Sequence, residues 1–332
     1  MRPALVDSFG RIHRSLRLSV TDRCNFRCPY CMPAKDVIFQ PRAELLTYEE
    51  FERLVHVGVR LGIREVRITG GEPLVRRDLP RLVHLLAEVQ GIEDLSLTTN
   101  GFYLQELAEE LKEAGLRRIN VSLDTLRRDR FQRLCGVDAL ERVLQGIEAA
   151  LGAGLAPVMV NAVLLRGLND DEALDLVDWA RERDISFRFI ELMPIGGGPI
   201  RGGEYLVPGS EVKARIEGRH PLIPKRDGDP SSPARTYRFA DGRGEVGFIN
   251  PMTEPFCSRC DRVRLTADGK IRNCLFDRSE LDLRGPLRLG ASGEELEAIW
   301  RLAVRNKGVG GCVELERGAG PIPTRRMWQI GG

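Results

Sequence analysis

Between residues 16 and 192, short apolar runs alternate with stretches in which apolar residues recur every three or four positions. The runs at 16–21, 65–69, 94–98, 118–123, 158–164 and 186–192 are rich in Val, Ile, Leu, Phe and Thr and predict β-strands. The periodic stretches between them predict amphipathic helices. The clearest opens at Thr47, where Thr47, Tyr48, Glu49 and Glu50 form a capping-box signature ahead of Phe51, Leu54, Val55, Val59 and Leu61. Asn169, Asp170, Asp171 and Glu172 open another in the same manner before Leu174, Leu176, Val177 and Trp179. Six strand-then-helix units predict an α/β fold built on a parallel sheet.

A doubly wound open sheet would place a glycine-rich dinucleotide turn after its first strand, and here a cysteine loop follows instead. The expected architecture is a partial (βα)6 TIM-like barrel, which is short of the eight units of a complete barrel and leaves one side open. Positions 196–233 read as loop-like, with Gly202, Gly203, Pro208, Gly209, Pro230 and Pro233. Beyond them, 236–239, 244–249, 262–266 and 270–272 read as short strands. The chain is therefore divided into a barrel, 1–233, and a C-terminal domain of short strands, 234–332, that closes the open side.

Composition narrows the function classes. The 332 residues, 42% hydrophobic and 30% charged, describe an ordinary globular protein of about two domains. Fifty basic and 48 acidic residues leave a net charge of +2, which excludes coating a polyanion, so any anion site is local and no nucleic-acid partner is expected. All but six of the basic residues are arginine. Neither a secretory signal nor an apolar run of roughly 18 residues is present, so a cytoplasmic protein without a membrane partner is expected.

Six of the eight cysteines fall in two tight groups. Cys24, Cys28 and Cys31, spaced C-x3-C-x2-C directly after the first strand, can turn three thiolates toward one face of a 4Fe-4S cluster and leave one iron without a protein ligand. Zinc would need a fourth Cys or His nearby, and neither His13 nor His56 has that spacing. Cys257, Cys260 and Cys274 form the second group, in which C-x2-C is also a common zinc half-site, though no histidine follows His220. Cys135 and Cys312, isolated in the chain, are expected to be core hydrophobes.

With these residues the chain resembles the radical S-adenosylmethionine (SAM) superfamily. The second triad and the terminal Gly331 and Gly332 narrow the resemblance to the GTP 3′,8-cyclase (molybdenum cofactor biosynthesis protein A) family, over essentially the whole chain. It implies a lyase that converts GTP to 3′,8-cyclo-7,8-dihydroguanosine 5′-triphosphate, the first step of molybdenum cofactor biosynthesis. A 5′-deoxyadenosyl radical would take the ribose 3′ hydrogen, and the carbon radical would add to guanine C8. Two 4Fe-4S clusters and SAM are the implied cofactors. Tyr30, Gly71, Ser122 and Met193 would contact SAM, and Arg17, Arg67, Thr98, Arg262 and Arg264 would contact GTP. Arg262, Arg264 and the Gly331–Gly332 tail, reaching into the cavity, would be catalytic. No phosphate loop of the Walker type exists, so arginines must grip the triphosphate. Where the family places a GTP-contacting lysine in the fifth strand, this chain has Met159. The implied partners are a flavodoxin-like or ferredoxin-like reductant, the next enzyme of molybdopterin synthesis, and a second copy in a homodimer. Two other readings stay open on the residues alone: another radical SAM enzyme acting on a peptide, and a zinc-binding module without catalysis.

Overall fold

The computed structural model describes residues 4–33, 35–195, 198–200, 202–225, 229–316 and 325–331. Among them, β1 (Ser15–Ser19), β2 (Glu65–Thr69), β3 (Asp94–Thr99), β4 (Arg118–Ser122), β5 (Val158–Val163) and β6 (Ser186–Ile190) lie side by side in chain order, each parallel to the next. A helix or helix pair follows every strand, including Tyr48–Arg60, Leu79–Ala87, Leu104–Glu113, Leu140–Gly152 and Ala173–Arg181. Thr47 caps the first of these with the full reciprocal box to Glu50. The expected partial TIM-like barrel is what forms.

Residue alternation divides the two faces of this sheet. Leu16, Leu18, Val66, Ile68, Leu95, Leu97, Ile119, Val121, Val160, Phe187 and Phe189 join Phe51, Leu54, Leu82 and Leu111 of the helices in one apolar core. The intervening positions Ser15, Arg17, Glu65, Arg67, Thr98, Arg118, Ser122, Asn161 and Arg188 line an interior cavity of about 770 Å³. Successive strand residues point to opposite faces, so a strand of alternating Leu and Arg delivers charge to the lumen without disturbing the core.

The C-terminal third covers the open side from both edges. β7 (Leu222–Pro224), β8 (Arg235–Phe239) and β9 (Glu245–Ile249) extend the β6 edge, with β9 parallel to β6. β10 (Arg262–Leu265) pairs parallel to β1, and β11 (Lys270–Arg272) and β12 (Leu281–Asp282) continue outward antiparallel. Eight consecutive strands, from β10 through β1–β6 to β9, are thus parallel.

Two local expectations are corrected. The described part of 196–233 is not all loop: it contains a helix, Gly209–Glu217, and β7. Pro208 and Gly209 mask the helix signal, yet Pro208 is its N-cap, the Gly209 amide donates to Glu191 at 3.0 Å, and Val212 and Ile216 are buried one turn apart. Asn169 does not cap its helix, which starts as a 3-10 turn at Asp170–Glu172 before Ala173–Arg181. Its side chain accepts from Leu165 N at 2.7 Å and donates to the Asp124 and Val163 carbonyls at 2.8 and 3.0 Å. Buried strand-end groups lack water as an alternative partner, so they claim the amide ahead of the helix start. No helix among the described residues is long and apolar enough to cross a membrane.

Candidate active site

The first cysteine loop is set by backbone contact with the turn after β2. Gly71 N donates to Thr21 O and Glu72 N to Arg23 O, both at 2.7 Å, and a Cβ on Gly71 would overlap the Arg23 carbonyl. The Gly70–Gly71 pair is thus explained by close approach of two chain segments immediately before Cys24. Within the loop, Cys31 N and Met32 N both donate to Cys28 O at 2.9 Å. Cys24 Sγ accepts from Phe26 N at 3.4 Å, with Asn100 Nδ2 at 3.9 Å. Burial pushes Cys24 up to about 12, with Glu72 adding to it, and burial also raises Cys31. Cys135 is buried in the core, as expected, and Cys28 beside it adds to burial in raising its thiol.

Acidic groups surround this loop. Glu72, fully buried, accepts from Leu74 N, Thr99 Oγ1 and Asn100 N at 2.9, 2.7 and 2.6 Å, and burial outweighs these bonds to raise it to about 7. Asp124 accepts from Tyr30 Oη at 2.5 Å and from Val163 N at 2.8 Å; burial raises it to about 6.

The second triad meets the opposite field. Cys257 is drawn down to about 6, first by a hydrogen bond from Cys312 and then by the Cys312 and Val313 amides, against the effect of burial. For Cys260, burial is outweighed by Arg262 and Lys307, which bring it down to about 7. Cys312 is buried in a small apolar cluster, as expected, and that cluster also contains Cys257. Lys307 Nζ lies 3.6 Å from Cys260 Sγ, and Arg11 donates to the Cys257 carbonyl at 2.7 Å.

No disulfide ties any of these sulfurs, and among the described residues no three Cys, His, Asp or Glu side chains converge on a single ion. A cubane cluster spreads its thiolates over separate irons. The first loop, with thiols that burial keeps protonated, fits a group whose iron charge would compensate three thiolates. The second, with thiols already held near neutrality by cations and amides, fits one as well.

Arginines dominate the cavity wall between the two groups. Parallel register aligns Arg264 of β10 with Arg17 of β1, and Arg17 with Arg67 of β2, in one lateral row. Arg262 and Arg188 line the same space. Burial lowers Arg17 to about 10, Arg264 to about 9 and Arg188 to about 10, with neighbouring guanidiniums adding to it, and it lowers Arg67 in the same way. Among the described residues none of these five pairs with a carboxylate, and Arg262 Nε and Nη2 and Arg188 Nε are buried without any partner. Adjacent like charges on neighbouring strands are unfavourable unless an anion joins them. Arg262 also lies 4.6 Å from the Phe256 ring centroid.

The C-terminal segment reaches this space. Arg325 pairs with Asp268 and Glu280 at 2.7 Å, which anchors the short helix Met327–Ile330. The Trp328 amide bonds Cys31, Ile330 packs with Cys257 and Cys312, and the Gly331 carbonyl accepts from Arg264 Nη1. Gly331 has φ +74°, and a Cβ there would overlap Thr69. Gly332 lies outside the described residues.

Of the residues expected at the site, Tyr30, Ser122, Met193, Arg17, Arg67, Thr98, Arg262, Arg264, Cys257, Cys260 and Cys274 all border the cavity. Cys24, Cys28, Cys31, Gly71 and Gly331 are not among the lining residues; Cys28 and Cys31 flank the lining Tyr30, and Gly331 reaches the wall through Arg264. Met159 is buried in β5, in register with Asn120 of β4 and Ser186 of β6, and is not among the residues that line the cavity. Sequence reasoning missed Arg188, Arg118, Asp124, Lys307 and Arg11. Arg188 alone carried a signal: it sits between Phe187 and Phe189 in a buried parallel strand, where an inward arginine needs a ligand.

Comparison with known proteins agrees with this construction. Residues 18–180 match the radical SAM superfamily, and residues 185–310 match the family Molybdenum Cofactor Synthesis C. Among solved structures, Streptococcus suis SuiB bound to S-adenosylmethionine superposes with a TM-score of 0.60 at 17% identity, over 82% of this chain and 64% of that one, and so shares the fold. The fold and the first thiol loop are those of a radical SAM enzyme, a class that works with SAM and an iron–sulfur cluster. The GTP 3′,8-cyclase of Moorella thermoacetica is 49% identical over 98% of this chain and 99% of its own length. That of Streptomyces coelicolor is 46% identical over 99% and 96%. The chain belongs to the GTP 3′,8-cyclase family, a radical SAM family of molybdenum cofactor biosynthesis.

Proposed function

We propose that this chain closes a bond between ribose C3′ and guanine C8 of GTP, forming 3′,8-cyclo-7,8-dihydroguanosine 5′-triphosphate. The observation that carries this reading is the row Arg264, Arg17 and Arg67, joined by Arg262 and Arg188, lining one cavity and, among the described residues, forming no ion pair with a carboxylate. Such a wall demands a polyanion, and a triphosphate supplies it. Cys24, Cys28 and Cys31 would hold one 4Fe-4S cluster, and Cys257, Cys260 and Cys274 a second. When bound, the first cluster and SAM supply a 5′-deoxyadenosyl radical able to take the C3′ hydrogen.

The chain's own residues orient and shield. Arg17, Arg67, Arg262 and Arg264 hold the phosphates, with Thr98 as a further contact, while Tyr30, Ser122 and Met193 face the SAM side and Gly71 sets the loop behind it. Arg264 has a second task, because it also holds the Gly331 carbonyl and so couples substrate binding to the tail. Enclosure by residues 1–233 on one side and 234–332 on the other keeps water from a reactive centre. Substrate and radical source held in one geometry gain the rate advantage of proximity. A flavodoxin-like or ferredoxin-like protein would provide electrons, and the next enzyme of molybdopterin synthesis would take the product.

GTP loses one hydrogen atom at C3′ and regains one electron and one proton, so the product is isomeric with GTP. Anaerobically reconstituted protein given SAM, dithionite and GTP should yield methionine, 5′-deoxyadenosine and that isomer by mass spectrometry and chromatography. SAM cleavage with GTP returned unchanged overturns the proposal and favours another substrate, such as a peptide.

A further inference from the structure

Lys307 follows the helix Gly293–Arg305 and is only 3% exposed. Its ammonium donates to the Arg262 carbonyl at 2.8 Å, lies 3.4 Å from the Cys260 carbonyl, and stands 3.6 Å from Cys260 Sγ. Among the described residues no carboxylate pairs with it, and its charged neighbours on the other side, Arg11 and Arg262, are cations. A buried cation without an anion is costly, and carbonyl dipoles alone offset only part of that. Of the groups acting on it, the sulfurs of Cys260 and then Cys274 supply the largest attraction.

The lysine is also held in place. Arg11 donates to the Gly308 and Val309 carbonyls at 2.6 and 3.0 Å, and the same guanidinium holds the Cys257 carbonyl. One side chain thereby ties the segment bearing Lys307 to the loop bearing Cys257 and Cys260. Asp7 orients it through Arg11 Nε at 2.6 Å.

We propose that Lys307 is a positioning residue for the second cluster, whose charge-assisted N–H···S bond to Cys260 stabilises thiolate ligation and favours the reduced state. This rests on the reading that Cys257, Cys260 and Cys274 hold a 4Fe-4S cluster. Adding one electron from an external reductant places one more negative charge on the cluster and its sulfurs, and a fixed ammonium stabilises that form more than the oxidised one.

The test isolates the second site in protein carrying Cys24→Ala, Cys28→Ala and Cys31→Ala. Iron content and EPR-monitored redox titration are then compared for this parent, Lys307→Met and Lys307→Arg. The expected result for Lys307→Met is a roughly tenfold lower reduced-to-oxidised ratio at a fixed potential, about 59 mV for a one-electron couple. Lys307→Arg should recover most of it. Iron lost in Lys307→Met but kept in Lys307→Arg also supports the proposal, since every thiol ligand is intact. Unchanged iron and potential in Lys307→Met, or iron lost equally in both variants, overturns it. A parent that binds no iron overturns the second-cluster reading instead.

Discussion

Around Cys24, Cys28 and Cys31 the nearby ionisable groups are Glu72, Asp124 and Tyr30 with one cation, Arg27, whereas around Cys257, Cys260 and Cys274 they are Arg11, Arg262, Arg264 and Lys307 with one carboxylate, Asp261. The two triads offer the same three sulfurs, and each has a fourth thiol beside it, Cys135 in one case and Cys312 in the other. Their fields differ in sign. Burial and carboxylates raise Cys24 and Cys31, while cations and amides lower Cys257 and Cys260. Counting ligands therefore says what each site can hold, and the surrounding charge says what it is for. On the proposed function, a negative environment, which resists taking up an electron, would suit the site that gives one to SAM. On the same proposal, a positive environment would draw in an anionic nucleotide and steady a reduced second cluster.

The sharpest way to break this comparison is to remove one triad at a time. Iron should fall from about eight to about four per chain in both Cys24→Ala and Cys257→Ala, as two cubane sites require. The activities should then separate. Cys24→Ala should abolish SAM cleavage and cyclisation together, whereas Cys257→Ala should keep SAM cleavage and lose the cyclised product. Equal loss of both activities in the two variants would erase the division of labour.

Next in size is the arginine row that joins the sites. Arg264→Ala removes both a cavity cation and the donor to Gly331, so cyclisation should fall by about 100-fold in kcat/KM, in the range of losing one preorganised charge donor. Uncoupled 5′-deoxyadenosine formation should fall less. The tail can be separated from the charge by Gly331→Ala, where φ +74° and overlap with Thr69 oppose any side chain. A loss of about tenfold in cyclisation, roughly 1.4 kcal/mol, with phosphate binding retained is expected from steady-state kinetics.

The smallest expected effect tests the acidic field itself. Asp124 is raised from 3.8 to about 6 by burial, so folding favours its protonated form. That contribution is fully present below about pH 4 and is lost as pH rises through about 6. Glu72, raised to about 7, acts in the same direction. Cys257 and Cys260 act in the opposite direction, so the test is a difference: before cluster loading, chemical denaturation should show the wild type losing about 1–3 kcal/mol relative to Asp124→Asn between pH 4 and 7. A wild-type stability that rises relative to Asp124→Asn over that interval would contradict the assigned field.

Much of this molecule was legible in the chain because the relevant interactions are local. Strand alternation located β1–β6 to within a residue or two, and helical periodicity placed helices between them, with the start at Thr47 fixed. C-x3-C-x2-C places three sulfurs within one loop whatever the rest of the chain does, and Thr47 and Glu50 cap their helix reciprocally across three residues. The helix at Gly209–Glu217 was hidden because its start is written in Pro and Gly, and its anchor, Glu191, is supplied from another part of the fold.

What tertiary structure alone decided are the meetings between distant segments. Lateral register, set by packing across the whole sheet, brought Arg264, Arg17 and Arg67 into one row although they lie in strands far apart in sequence. Chain closure placed Cys312 against Cys257, Cys135 against Cys28 and Lys307 against Cys260, and no spacing rule encodes those pairs. Their effects depend on burial and on summed charge at a point in space. Ligand chemistry could be read residue by residue, but the electrostatic field around each ligand could not, because it belongs to the packed molecule.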